Sequence, residues 1–326
     1  MGMGHVLRSV ELASEIMRTD SHATVHFIVN NNPVSIKTLE ATQFRFTIEG
    51  KVAAVAEAEK SDAIIFDLPG EILNDTKYLR KRDPTIWITA LDYFNYENED
   101  VNAIFNLVNH NLRQEKPTNP SLLYFEGPEF GILRQEFITW IGKPKDIPAR
   151  AKNVLISFGG SDPQKNTLSV IHALAGQTFE GVTFHFTIGA NFAHAAEVKK
   201  GIAKLRCKTE FHEGVTDIGK LIHVADFALC GSGTTILEMT ALGTPSLVIA
   251  QSPEEVRFAR VFEKQDASRC LGQAFQAKPE LILKAITAMI DDQHTRALLS
   301  KSGMKIVDGK GKVRIVKTIF EAVKAS

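Results

Sequence analysis

Cysteine is scarce in this sequence. Cys207, Cys230 and Cys270 are spread over 326 residues, and no C-x-x-C occurs. An odd, sparse set excludes a disulfide framework. It fits small buried thiols in a reducing, cytoplasmic compartment. An excess of charge of one sign is also lacking, because 38 basic residues balance 38 acidic ones. No nucleic acid or anionic membrane surface is therefore implied as a partner. No apolar run reaches the roughly 18 residues of a membrane span, and the start carries no charged-then-apolar signal peptide. Zinc-type spacings are missing. His172, His185, His194 and His212 stand isolated along the chain, so no metal ligands and no cofactor are read. The absence of G-x-S-x-G argues against a serine hydrolase. A P-loop, G-x-G-x-x-G and a D-x-D metal-binding pair are absent as well.

What is present is a hydrophobic content of 44%, enough for two cores, in a chain longer than one domain usually holds. Short apolar strands alternate with helical patterns from end to end. That alternation predicts an α/β chain with parallel sheets and helices on both faces. The alternation pauses at residues 142–148, which carry two prolines and mixed charge, and restarts at residues 153–158. The expected division is a first domain over residues 1–142 and a second over 143–326.

The stretch over residues 230–250 shows the repeating unit best. A strand ends at Cys230, Gly231-Ser-Gly233 turns the chain, and Thr234 and Thr235 open an apolar helix. Gly243 and Pro245 stop that helix, and residues 246–250 read as the next buried strand. Free N–H groups and the helix dipole make such a turn attractive to phosphate. Thr235 and Glu238 also fit a capping box, and a capped turn binds nothing. Spacing alone leaves both readings open. Two further glycine turns lie at expected strand-to-helix junctions, Gly2-Met-Gly4-His5 and Gly159-Gly160-Ser161-Asp162. His5 could serve as a general base, because imidazole titrates near neutrality. Its plain alternative is an exposed histidine near a terminus. Asp67 ends a buried strand and is either an acid at a cleft or a cap on the following loop.

Taken in order, these motifs resemble one family. They are Gly2-x-Gly4-His5-x-x-Arg8, then Gly159-Gly160-Ser161-Asp162-Pro163 with Asn166 and Thr167, then Gly231-Ser232-Gly233-Thr234-Thr235 with Glu238. The family includes the UDP-sugar hydrolase of pseudaminic acid biosynthesis and the spore-coat polysaccharide glycosyltransferase-like proteins. The peptidoglycan N-acetylglucosaminyltransferase is a more distant relative. The resemblance covers nearly the whole chain, and residues 124–137 also look like the hydrolase family's segment before its second domain. It implies a GT-B fold, with two Rossmann-like doubly wound domains facing a cleft. It further implies a cytoplasmic, metal-independent enzyme acting on a UDP-sugar, with a glycan acceptor as a possible partner. His5 matches the family's catalytic histidine. The substrate-binding set implied is Gly4, Arg8, Asp67, Gly160, Ser161, Asn166, Val215, Ile218, Gly231, Ser232, Gly233, Thr234, Thr235 and Glu238. Among these, Gly231 to Thr235 would take the diphosphate, Glu238 the ribose hydroxyls, and Val215 to Ile218 would lie against the base.

Two departures bear on the reaction. The hydrolase family continues His-Tyr after the strand ending at Asp67, and here Leu68 and Pro69 follow. The family's Asn-Gln pair near the sugar is replaced by Gln251-Ser252-Pro253. The missing tyrosine favours transfer to an acceptor over hydrolysis releasing free sugar. A non-catalytic nucleotide-sugar-binding protein is the reading of a different class. This architecture also places an apolar strand before the glycine turn that carries the histidine, and Met1 sits directly on that turn. The expectation is a first domain lacking its first strand, with a native start upstream supplying roughly 5–10 further residues.

Overall fold

The computed structural model describes residues 3–48, 61–68, 70–107, 117–160, 162–189, 192–215 and 217–325. The chain forms two compact units, Met1–Arg134 with Gly309–Ser326, and Gln135–Asp308. The first unit runs through α1 (Met3–Thr19), β1 (His26–Val29), α2 (Pro33–Glu40), β2 (Arg45–Ile48) and β3 (Ala63–Phe66). It continues with α3 (Leu73–Arg82), β4 (Trp87–Leu91), β5 (Ala103–Asn106) and β6 (Leu123–Glu126). Local sequence sets several of these ends. Asn32 caps α2 by accepting from Val34 N and Ser35 N, with Pro33 in the first turn. β4 and β5 are buried along their whole length, as continuous apolar runs in a parallel sheet should be.

The first unit's strands fall in two parallel sheets. β1 pairs with β2, and β3-β4-β5-β6 form the second sheet. Among the described residues no strand precedes α1, and no pairing joins β1 to β3. β3 is half-buried along its length. Its Ile64 and Phe66 and the Ile28 of β1 pack against one cluster built from Ile72, Leu79, Ile88 and Ile104.

The second unit runs through α4 (Gln135–Ile138), β7 (Asn153–Ser157), α5 (Asn166–Leu174), β8 (Thr183–Ile188), α6 (Ala195–Ile202) and β9 (Lys208–Glu213). Then come α7 (Ile218–Val224), β10 (Phe227–Cys230), α8 (Thr234–Ala241), β11 (Ser246–Ala250), α9 (Pro253–Lys264), β12 (Arg269–Gln273), α10 (Pro279–Asp291) and α11 (Gln293–Ile306). Its strands make one parallel sheet in the order β12-β11-β10-β7-β8-β9. The order reverses between β7 and β10. That switch point is where open α/β sheets hold ligands, just beyond the carboxyl ends of the strands. The last helix, α12 (Gly311–Ala325), belongs to the first unit. Lys312 on α12 pairs with Glu11 of α1 at 2.7 Å, and Arg314 donates to Glu129 O at 2.8 Å. Gly311 abuts the backbone of Phe130 and Gly131, leaving no room for a side chain.

Several sequence expectations change. Residues 142–148 are packed into the second unit and do not link the two. Lys145 donates to Ile222 O, His223 O and Thr244 Oγ1 at 3.1, 2.6 and 2.8 Å, which satisfies the carboxyl end of α7. The second unit begins at Gln135 and excludes the last helix. Residues 123–126 form β6 although the sequence there carries no clear strand signal, and the stretches that form β12 and α11 likewise carry none. β6 and β12 are edge strands, only part-buried, so they lack a continuous apolar run.

Arg296 on α11 is fully buried. It donates to Met289 O, to Ile290 O at 2.8 Å, to Pro148 O and to Ala149 O at 3.2 Å. It therefore closes the end of α10 and fastens the 148–149 strap. Arg296→Met fills similar volume but orphans these carbonyls. It is expected to lower stability by roughly 3 kcal/mol in urea denaturation, and an unchanged midpoint would show the carbonyls find other partners.

Candidate active site

In the first unit, five polar side chains meet at the carboxyl ends of β3 and β4. His5 and Arg8 lie in the first two turns of α1, with His5 inside the helix and not on a turn before it. Asp67 directly follows β3, and Asp92 follows β4. His5 Nδ1 stands 2.7 Å from Asp67 Oδ1. Ser9 Oγ donates to Asp67 Oδ2 at 2.8 Å. Arg8 Nε donates to Asp67 Oδ2 at 2.8 Å, a second guanidinium nitrogen to Asp67 Oδ1, and the third to Asp92 Oδ2 at 2.5 Å. Asp92 holds a positive φ of 49° and accepts from Leu107 N at 2.9 Å.

Burial alone would raise the Asp67 carboxyl, but the hydrogen bonds and charges of Arg8 and His5 hold it well below the usual carboxylate range. Burial alone would lower the Arg8 guanidinium, and Asp67 and Asp92 hold it above its ordinary value. An ionised Asp67 accepts the proton carried on His5 Nδ1, which leaves Nε2 as the nitrogen that can take up a further proton. Asp67 is thus neither a loop cap nor placed to meet ligand first; its oxygens are taken by His5, Arg8 and Ser9. Arg8 is 7% exposed with its nitrogens on two carboxylates. Sequence reasoning did not single out Asp92 or Ser9. An acid at the carboxyl end of β4, the same signal that marked Asp67, would have found Asp92.

In the second unit, the loops after β7, β8, β10 and β11 gather at the switch point. β7 and β10 are neighbours, with Ser157 opposite Cys230. A Cβ on Gly159 would lie 3.8 Å from Thr235 Oγ1, one on Gly189 would lie 3.0 Å from Gly160 O, and one on Gly231 would lie 3.9 Å from Gln251 Nε2. The rim is therefore glycine backbone, open to close approach by a ligand. Its two helix N-termini differ. At α5, Asp162 is buried with φ of 38° and accepts from Asn166 N and Thr167 N, both at 2.8 Å. That carboxylate already fills the α5 end. At α8 the N-cap is Gly233, with φ of 84° and no side-chain cap.

A capping box from Thr235 and Glu238, one of the two readings open from sequence, would need Thr235 at the cap position. Gly233 takes the cap position, so Thr235 falls inside the helix. Ser232 Oγ donates to Glu255 O at 3.0 Å, which ties the turn to α9. Glu238, Val215 and Ile218 are half-buried, and Gly160 is exposed. Both amide atoms of Asn166 are buried without a hydrogen-bond partner. Ser161 lies outside the described residues. The three cysteines are free and buried, and burial pushes the Cys230 thiol up to about 12. Among the described residues no helix is long and apolar enough to cross a membrane.

The lowered Asp67 carboxyl fixes a pH dependence. An unfolded Asp titrates near about 3.9. Asp67 therefore contributes stability fully above that pH, and the contribution is lost as pH falls through the lower folded value. Asp67→Asn is expected to cost roughly 3–5 kcal/mol at neutral pH by leaving Arg8 under-paired. In urea titrations the gap between the two proteins should narrow below about pH 4; a gap constant from pH 7 to pH 3 would refute the ion pair.

The solved structures resembling this chain share its fold. Acinetobacter baumannii MurG superposes with a TM-score of 0.70 at 12% identity, covering 98% of this chain and 96% of that one. Staphylococcus aureus MnaA, solved with UDP, superposes with a TM-score of 0.62 at 13% identity, covering 98% and 93%. These likenesses establish the GT-B architecture of two Rossmann-like domains. Among curated proteins, the spore coat polysaccharide biosynthesis protein SpsG of Bacillus subtilis is 25% identical over 329 residues, covering 96% of this chain and 93% of its own length. The profile described as glycosyltransferase family 28 C-terminal domain matches residues 154–319, which takes in β7 through most of α12. That is more than half of the sequence, and the chain belongs to this glycosyltransferase family.

Proposed function

We propose that the protein transfers a sugar from a UDP-sugar to an acceptor hydroxyl in polysaccharide biosynthesis. The observation that carries this reading is the His5–Asp67 pair, in a chain of a glycosyltransferase family. Asp67 holds the imidazole in one tautomer and orientation, and that leaves Nε2 as the base. The acceptor oxygen attacks the anomeric carbon as its proton passes to His5 Nε2. The bond from that carbon to the diphosphate oxygen breaks, and UDP leaves. Arg8, Asp92 and Ser9 act through Asp67 and are positioning residues.

In this reading the first unit supplies the base and the second binds the donor. The N–H groups at the uncapped start of α8 take the diphosphate, and the helix dipole stabilises the leaving charge. Gly160, Gly231, Gly233, Thr234 and Thr235 let the phosphates approach the backbone. Glu238 accepts from the ribose hydroxyls, Val215 and Ile218 lie against the base, and the unpartnered Asn166 amide meets donor oxygens. The similarity to SpsG, a spore coat polysaccharide biosynthesis protein, and to MnaA, solved with UDP, supports this choice of donor and product.

The test is UDP release from a panel of UDP-sugars, with and without glycan acceptors. Release that needs an acceptor is expected. Release without one would assign hydrolysis, and neither release nor UDP binding would sink the enzymatic reading. His5→Asn should lower turnover about 100-fold or more while UDP affinity holds. Glu238→Ala should weaken UDP binding with little change in melting temperature, and an unchanged affinity would remove Glu238 from the ribose site.

A further inference from the structure

Three side chains that stand apart in sequence come together on one face of the second unit's sheet. β8 and β9 pair in parallel, with His185 opposite Glu210 and Thr187 opposite His212. Alternate residues of a strand share a face, so His185, Glu210 and His212 point the same way. His185 Nδ1 lies 3.3 Å from His212 Nε2 and 3.3 Å from Glu210 Oε2, and His212 Nε2 lies 3.9 Å from Glu210 Oε2. Zinc binds imidazole and carboxylate at about 2.0–2.2 Å, which sets neighbouring donors of a tetrahedron roughly 3.3–3.5 Å apart. The three spacings match three corners of a slightly opened tetrahedron. The Glu210 side chain is half exposed, so water can take the fourth corner.

Hydrogen bonding explains the cluster less well. On the opposite side of the ring, His185 Nε2 is 3.3 Å from Asn153 Oδ1 on β7. An amide oxygen only accepts, so Nε2 carries the ring proton and Nδ1 presents a lone pair. A second acceptor, the Glu210 carboxylate, then converges on that lone pair beside His212 Nε2. His212 Nε2 has one proton at most and cannot satisfy both. A cation satisfies all three. The Asn153 main chain is anchored on β7, its backbone N–H donating to Asp226 Oδ2 at 2.7 Å. A fixed partner on the second ring nitrogen is what orients a metal-ligating histidine.

We propose that His185 Nδ1, His212 Nε2 and Glu210 Oε2 bind one divalent transition-metal ion of the zinc class, clamping edge strand β9 to β8. The cluster lies within the strands, not on the glycine turns of the donor site, so the proposal is independent of the reaction. The metal-free full chain is titrated with Zn2+ against a chromophoric chelator. One Zn2+ per chain is expected, with a rise in melting temperature. His185→Gln and His212→Gln should each weaken binding by more than about tenfold, and Asn153→Ala by about tenfold through loss of orientation. Glu210→Gln at the half-exposed position keeps the fold and should weaken binding as well. His194→Gln is the control, because His194 lies outside the cluster, with Glu197 at 3.8 Å. No stoichiometric binding, or equal binding by wild type, Glu210→Gln and His212→Gln, would overturn the proposal.

Discussion

The Arg8 guanidinium is the interaction on which the first unit's active end depends. It sits between the carboxylates of Asp67 and Asp92 and so joins α1 to the ends of β3 and β4. A buried cation costs several kcal/mol in desolvation unless its partners are well placed. Here each guanidinium nitrogen has a carboxylate oxygen, and the second Asp92 oxygen is held by a backbone N–H. The register of α1 against the sheet is thereby set, and the orientation of His5 follows from it. The same carboxylate that anchors Arg8 selects the histidine tautomer. Structure and chemistry share one ion network.

The second unit uses backbone where the first uses side chains. Its two glycine turns meet because β7 and β10 are neighbours at the point where strand order reverses. One turn is satisfied internally by Asp162, and the other is left without a cap at Gly233. That contrast separates the two helix ends, since Asp162 caps α5 while the cap residue of α8 is a glycine with no side chain to offer. The long connections through β8 to β9 and back to β10 put residues 159 and 231 side by side although some seventy positions separate them.

Much of this was legible in the linear chain. The strand–helix alternation, the glycine turns at residues 159–160 and 231–233, and the acid at Asp67 are local signals. Each depends on backbone sterics, burial or charge that a short window carries. Cysteine scarcity pointed to inert thiols, and burial of all three agrees with that. Edge strands β6 and β12 escaped notice because half-exposed strands lose the apolar run that marks a buried one. Residues 142–148 read as a linker because proline and mixed charge mimic one. Their packing rests on Lys145 and Arg296, whose targets are backbone carbonyls far along the chain.

By itself the sequence determined most of the element types, the parallel α/β class and the motif order that resembles the family, since these follow from periodicity and turn chemistry within a few residues. Only the tertiary structure decided which polar groups meet. Asp92 joins Arg8 because β3 and β4 are adjacent, and Thr235 loses its capping role because Gly233 bends the chain first. His185 and His212 look isolated along the chain, yet parallel pairing of β8 with β9 makes them neighbours. Register between strands and burial of charge are long-range properties. They are set by how the sheet assembles, and no local stretch of residues contains them.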